Sequence, residues 1–214
     1  MTPFLLVLSS PSGGGKTSIA RALLAARPDL AYSVSATTRP RREGEEHGRD
    51  YHFLAPEEFE ARARRGEFLE HATYGGHRYG TLRAEVDRIF RASRHAVLDI
   101  ELAGARQLRR TVPDSVLVFI LPPSGDELVR RLEARNTEDG DALRRRLEHA
   151  LEELAAVAEY DYAVVNDDLD RAVSRISAIV DAERCRVSRQ DALPALVAEL
   201  RQQVLAEAAR FQTS

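Results

Sequence analysis

A chain of 214 residues, 43% of them hydrophobic, has the apolar material for one compact α/β domain. Its net charge of −3 offers no general attraction to nucleic acid or to a membrane surface, so neither is expected as a partner. A single cysteine, Cys185, excludes a disulfide framework and suits a reducing cytoplasm. The N-terminal apolar run is also shorter than a signal-peptide core or a membrane span.

That run, Phe4 to Leu8, reads as a strand. Behind it stand Ser10, Pro11, Ser12, Gly13, Gly14, Gly15, Lys16 and Thr17, followed by Ile19, Ala22, Leu23 and Ala26 at helical spacing. Strand, glycine loop and helix in that order form the context of a phosphate-binding loop. Glycines let several N–H groups converge on one phosphate, and the helix N-terminus adds its partial positive charge. Lys16 brings a mobile cation to the β/γ-phosphates, and the Thr17 hydroxyl can join the shell of a magnesium ion. Ser10 stands where such loops usually carry their first glycine. The motif predicts nucleoside triphosphate binding.

Pro28-Asp29 stops the first helix, and residues 32–35 read as a short strand. Residues 36–50 read as a polar, arginine-rich loop. From Tyr51 to about Arg94 short strands and helices alternate, with Pro56 opening a helix and Gly75-Gly76 breaking the stretch 68–79. Residues 96–100 and 115–121 are continuous apolar strands, as in a parallel sheet covered on both faces. Helical patterns over 125–135 and 141–159 flank a polar bend. A last strand, 162–165, precedes a helix over about 169–184. The order predicts an α/β fold with a doubly wound parallel sheet. In it, segments 33–95 and 124–150 are insertions on a core of 1–32, 96–123 and 151–184.

An arginine-rich loop downstream of a phosphate loop suggests a second phosphate site, although most charge runs are solvated faces. The surrounding residues bear on the choice. Ser-Pro-Ser-Gly-Gly-Gly-Lys-Thr at 10–17, Ser-Val-Ser-Ala-Thr-Thr-Arg at 33–39 and Gly-Arg-Asp-Tyr-His-Phe at 48–53 resemble the guanylate kinase family. So do Phe-Leu-Glu-His-Ala at 68–72, Tyr-Gly-Thr at 79–81, Leu-Asp-Ile-Glu at 98–101 and Val-Asn-Asp-Asp at 165–168. The resemblance runs in order from about residue 4 to about 184.

The resemblance implies a P-loop core, a nucleoside-monophosphate-binding subdomain (33–95) and a helical lid (124–150). The implied reaction is ATP + GMP giving ADP + GDP, with magnesium. On this basis Glu70 is the carboxylate that takes guanine N1–H and the 2-amino group. Ser35 and Thr81 serve the base edge, and Arg39, Arg42, Tyr51 and Tyr79 hold the GMP phosphate. Glu101 stands where the family usually carries Asp, which alters that contact. Plainer readings of single residues are Tyr79 as a core tyrosine and Thr81 as a helix cap.

Phosphoryl transfer needs alignment and charge neutralisation more than a general base. Lys16 supplies part of this. Arg131 and Arg135, one helical turn apart, and Arg146 across the bend are the candidate lid arginines, expected to repel one another over an empty site and so keep the lid mobile. Asp99 ends a buried strand and is expected to reach magnesium through water. Asn166 and Asp167 fall where the family touches the adenosine side.

Rival readings are a non-catalytic guanylate-kinase-like protein-binding module, a sugar-phosphate kinase of the same fold and a P-loop GTPase. The intact Gly15-Lys16-Thr17, the set Ser35, Glu70 and Thr81, and the lack of an Asn-Lys-x-Asp-like motif weigh against them in turn. The tail 185–214 lies outside the resemblance. Leu193, Leu196, Val197, Leu200 and Val204 make one apolar helical stripe there, suited either to packing on the chain's own core or to a homodimer.

Overall fold

The computed structural model describes residues 2–134 and 140–212. The chain opens with β1 (Leu5–Ser9) and α1 (Lys16–Ala26), then β2 (Leu30–Tyr32), β3 (Ala36–Thr37) and β4 (His52–Phe53). Next come α2 (Pro56–Arg64), β5 (Phe68–Tyr74), β6 (His77–Leu82), α3 (Arg83–Arg91), β7 (His95–Asp99), α4 (Leu102–Thr111) and β8 (Val116–Leu121). It closes with α5 (Gly125–Glu133), α6 (Gly140–Ala155), β9 (Tyr162–Val165), α7 (Leu169–Arg184) and α8 (Leu193–Gln212).

Five strands form a parallel sheet in the order β2-β7-β1-β8-β9. The alternation of side chains explains the continuous apolar run of β1. Leu6 and Leu8 enter a core completed by α1 and α7, while Leu5 and Val7 enter a second core on the other face with α3 and α4. Each of these four leucine or valine side chains is buried, and truncating one to alanine would cost about 2–5 kcal/mol. In this sheet β1 is central, and its register sets Leu8 opposite Asp99 at the C-terminal end of β7. The loop after β1 therefore opens beside that carboxylate, where ligands bind in sheets of this type.

A second sheet, β4-β3-β6-β5, has its own small core of Ala36, Leu54, Phe59, Phe68 and Leu82. Of the strand expected over 32–35, Tyr32 ends β2, and residues 33–35 are the gap before β3, where the chain passes from one sheet to the other. Leu128, Leu132 and Ala150 join α5 to α6.

The tail divides in two. Arg189 is buried: it donates to Glu183 at 3.1 Å and to the Asp114 carbonyl at 2.8 Å, and its guanidinium lies 4.5 Å from the centre of the Phe4 ring. Beyond it, residues 194–210 of α8 are all exposed, which rules out packing of that stripe on the chain's own core. Among the described residues, no helix is long and apolar enough to cross a membrane.

Candidate active site

A cleft of about 500 Å³ joins the phosphate loop to the second sheet. Residues 10–17 line one end, and Ser35, Arg39, Arg42, Tyr51, Glu70 and Tyr79 line the other. Asp99, Glu101 and Arg146 also border it. Thr81 sits just behind the wall, bonded to Glu70.

Gly15 caps α1 in the left-handed conformation and no side chain takes the first amides of the helix, which leaves them for an anion. Ser10 replaces the first glycine at no backbone cost, because among the described residues Ser93 is the one non-glycine with positive φ. Its Cβ matters for its neighbour: a Cβ on Gly14 would lie 2.7 Å from it, so that glycine is sterically required. Two side chains brace the loop from outside. Asn166 donates to the Gly14 carbonyl at 3.0 Å, and Arg131 reaches the Gly13 carbonyl at 3.4 Å.

Lys16 is the only lysine in the chain. Its ammonium lies 3.0 Å from Asp99, 3.2 Å from Glu101 and 3.2 Å from the Ile100 carbonyl. Burial by itself would lower its pKa, but Asp99 and Glu101 outweigh that and raise it, so the lysine is held charged. Thr17 donates to Asp99 at 3.4 Å. A hydroxyl and a carboxylate converging beside the loop are the hard oxygen donors that magnesium takes, so these residues fit the metal.

At the other end the geometry is the reverse. Glu70 is 5% exposed, and among the described residues no cation pairs with it. A register shift between Phe68 and Glu70 turns the carboxylate inward and sets it opposite Thr81, whose hydroxyl donates to it at 2.7 Å. The helix cap of α3 is Leu82, with no side-chain bond, so Thr81 serves the carboxylate and not the helix. Gly104 makes room: a Cβ there would meet Glu70 Oε2 at 2.5 Å. Burial raises the carboxyl pKa of Glu70 against the opposing pull of Thr81. A ligand with two converging N–H donors would satisfy it.

Also at this end, the Arg39 guanidinium lies 5.3 Å from the centre of the Tyr51 ring and 5.8 Å from that of Phe53. Glu45 accepts from it at 2.6 Å and from the Arg42 amide at 2.8 Å, and these bonds hold the Glu45 carboxyl below its usual range. Tyr79 is half-buried with its ring 6.1 Å from that of Tyr51, facing the cleft and not the core.

On α5, Arg130 and Arg131 both bond to Glu127, which holds that carboxyl at about 2. The expected repulsion among lid arginines is thus quenched at Arg131 by a counter-ion on its own helix. Arg146 reaches the Leu132 carbonyl at 3.5 Å, and Arg135 lies outside the described residues.

This geometry has counterparts in known proteins. The guanylate kinase family model matches residues 3–183. The chain belongs to the guanylate kinase family. It is 54% identical over 168 residues to the guanylate kinase of Rubrobacter xylanophilus, covering 78% of this chain and 88% of the relative. With that of Syntrophotalea carbinolica the identity is 47% over 86% of this chain and 88% of the relative. The crystal structure of guanylate kinase from Anaplasma phagocytophilum superposes with a TM-score of 0.76 at 35% identity, over 92% of this chain and 95% of that one.

The motifs quoted above do not include Glu45 and His149, which line the cleft, or Glu153, which lies against the phosphate loop. A signal for the last two was present. Arg146, His149 and Glu153 repeat at i, i+3 and i+7, so they share one face of α6.

Proposed function

We propose that the protein transfers the γ-phosphoryl group of ATP to GMP, and to dGMP, yielding ADP and the nucleoside diphosphate. The observation that carries this reading is Glu70, a buried carboxylate without a cation, in the same cleft as the lysine-bearing phosphate loop. Guanine offers N1–H and the 2-amino group side by side, and adenine lacks that pair. A site built around such a carboxylate rejects a base that leaves it unpaired.

In this reading the amides of residues 10–17, with Lys16, hold the triphosphate, and Asn166 supports the loop on the ATP side. Arg39, Arg42, Tyr51 and Tyr79 hold the GMP phosphate, while Ser35, Thr81 and Glu101 complete the base site. The acceptor is a phosphate oxygen whose second pKa is about 6, so at pH 7 it needs no general base. Arg131, Arg135 and Arg146 neutralise charge on the moving group as the lid, 124–150, closes over the insertion, 33–95. Thr17 and Asp99 would hold magnesium, which supplies charge neutralisation at the phosphates when bound. The enzyme would recycle GMP in purine nucleotide metabolism of a reducing cytoplasm. The exposed stripe of α8 we assign to a second copy of the chain, because a helix without core contacts draws its stability from a partner.

The test is steady-state phosphoryl transfer from ATP to GMP, dGMP, AMP, UMP and a pentose bisphosphate. Turnover is expected with the two guanine nucleotides and magnesium. Preference for the sugar phosphate, or no turnover with intact GMP binding, would overturn the reading.

A further inference from the structure

Glu153 lies in the last turn of α6, where Leu143, Leu147, Ala150 and Leu154 form the apolar seam. It is 1% exposed. An aliphatic side chain would fill this place without the cost of desolvating a carboxyl group. The carboxyl group instead faces polar partners drawn from three separate elements.

One oxygen accepts the Ser12 amide of the phosphate loop at 3.2 Å. The other lies 3.5 Å from His149 Nε2, on the preceding turn of the same helix. Glu101, at the start of α4, approaches so closely that carboxyl oxygens of the two glutamates and a ring nitrogen of His149 all lie within 4.8 Å of one another. Two carboxyl groups in contact share a proton, because like charges at that distance disfavour double ionisation. Glu101 in turn lies 3.2 Å from Lys16, so the contact ties Glu153 to the lysine as well as to the loop.

We propose that Glu153 is a positioning residue for the transfer: from the second lid helix it fixes the Ser12 peptide and Glu101, and so sets the loop and the lysine whenever α6 is docked. The linkage runs α6, Glu153, Glu101, Lys16. It gives the lid a mechanical hold on the phosphate loop besides the arginines it carries. The inference rests on the kinase reading above, but part of its test needs no turnover.

The sole lysine makes that part simple. Protein labelled with [15N]lysine has one lysine amide resonance, at the junction of the phosphate loop and α1. Glu153→Gln keeps the shape, an acceptor for Ser12 and a donor for Glu101. It is expected to leave the resonance in place and turnover within about threefold of the parent. Glu153→Ala is expected to move the resonance without nucleotide present and to lower kcat roughly tenfold to a hundredfold. Glu153→Asp keeps the carboxyl group but is one methylene too short to hold both partners. It should behave like the alanine variant and serves if that one does not fold. An unmoved resonance in both shortened variants would overturn the proposal, as would a glutamine variant as impaired as they are. Loss of turnover in the parent protein, with the resonance still responding to Glu153→Asp, would instead overturn the kinase reading alone.

Discussion

At the phosphate-loop end of the cleft, partly buried Lys16 meets Asp99 and Glu101 inside the protein, so in the proposed function an arriving phosphate takes over a cation that is already paired. At the other end, Glu70 is buried against Thr81 and, among the described residues, pairs with no cation, so in the proposed function guanine supplies its charge-assisted donors. The first arrangement keeps a general phosphate site stable when empty. The second makes selectivity costly to evade, because a wrong base leaves a desolvated carboxylate unsatisfied. In that function, generic chemistry is held by a cation with internal counter-charges, and recognition is left to a buried carboxyl group paired only with Thr81.

The contrast can be broken from either side. Lys16→Ala removes the cation shared by two carboxylates and is expected to reduce kcat by about 10²–10³-fold or more. GMP binding measured by calorimetry should weaken far less. An equal loss in both would mean that Lys16, through Glu101, governs the guanine end as well. Glu70→Gln presents a donor to a guanine donor and is expected to reduce the specificity constant for GMP roughly tenfold to a few hundredfold, with ATP binding unchanged. IMP, which keeps N1–H but lacks the 2-amino group, should be the poorer substrate of the parent enzyme and lose less. Parent-like GMP specificity in the variant would remove Glu70 from the base site.

A third buried group sharpens the distinction because it serves no ligand. His95 accepts the Phe4 amide at 3.3 Å on Nδ1, and burial depresses its pKa from 6.5 to about 4. The unfolded chain therefore takes up the proton first. Its contribution to stability is complete above pH 6.5 and is lost as pH falls, by about 3 kcal/mol at pH 4. Urea unfolding of the parent and of His95→Asn between pH 7 and 4 should show a steeper loss in the parent. Parallel curves would mean that His95 is already protonated in the fold.

The smallest effect on catalysis is expected at the tail. Because Arg189 is locked to Glu183 and Asp114, a truncation that isolates the role of α8 falls after Ala192 and spares that contact. Such a chain should keep kcat within about twofold and sediment as a monomer where the full chain sediments as a dimer. A monomeric full chain would leave the α8 stripe without its assigned partner.

Much of this was legible in the order of residues. The phosphate loop is local: strand, glycines and helix follow one another, so spacing alone places Lys16 and Thr17. Strands β7, β8 and β9 and helix α7 were visible because parallel strands buried on both faces are uninterrupted apolar runs. Glu70 was identified only through a family resemblance, since its inward turn depends on a register shift and on space left by Gly104, 34 positions away in the chain. Residues 32–36 misled because two-residue strands such as β3 carry no periodicity. The contacts of Lys16 with Glu101, and of Glu101 with Glu153, were hidden for the same reason as any long-range polar pair: periodicity records which face a residue is on, not what it faces.

Arg39 rests on Glu45 and Arg131 on Glu127, each at 2.6 Å, before any nucleotide arrives. In the proposed function, substrate capture by these two guanidinium groups is an exchange of anions and not a first encounter. The incumbent glutamate acts as a threshold: a lone chloride or a singly charged ester competes poorly with a tethered carboxylate, whereas a doubly charged phosphate can displace it. The displaced carboxylate then remains nearby as a built-in competitor, ready to reclaim the arginine when product leaves. In that function each arginine is spared both indiscriminate salt binding and a sluggish release.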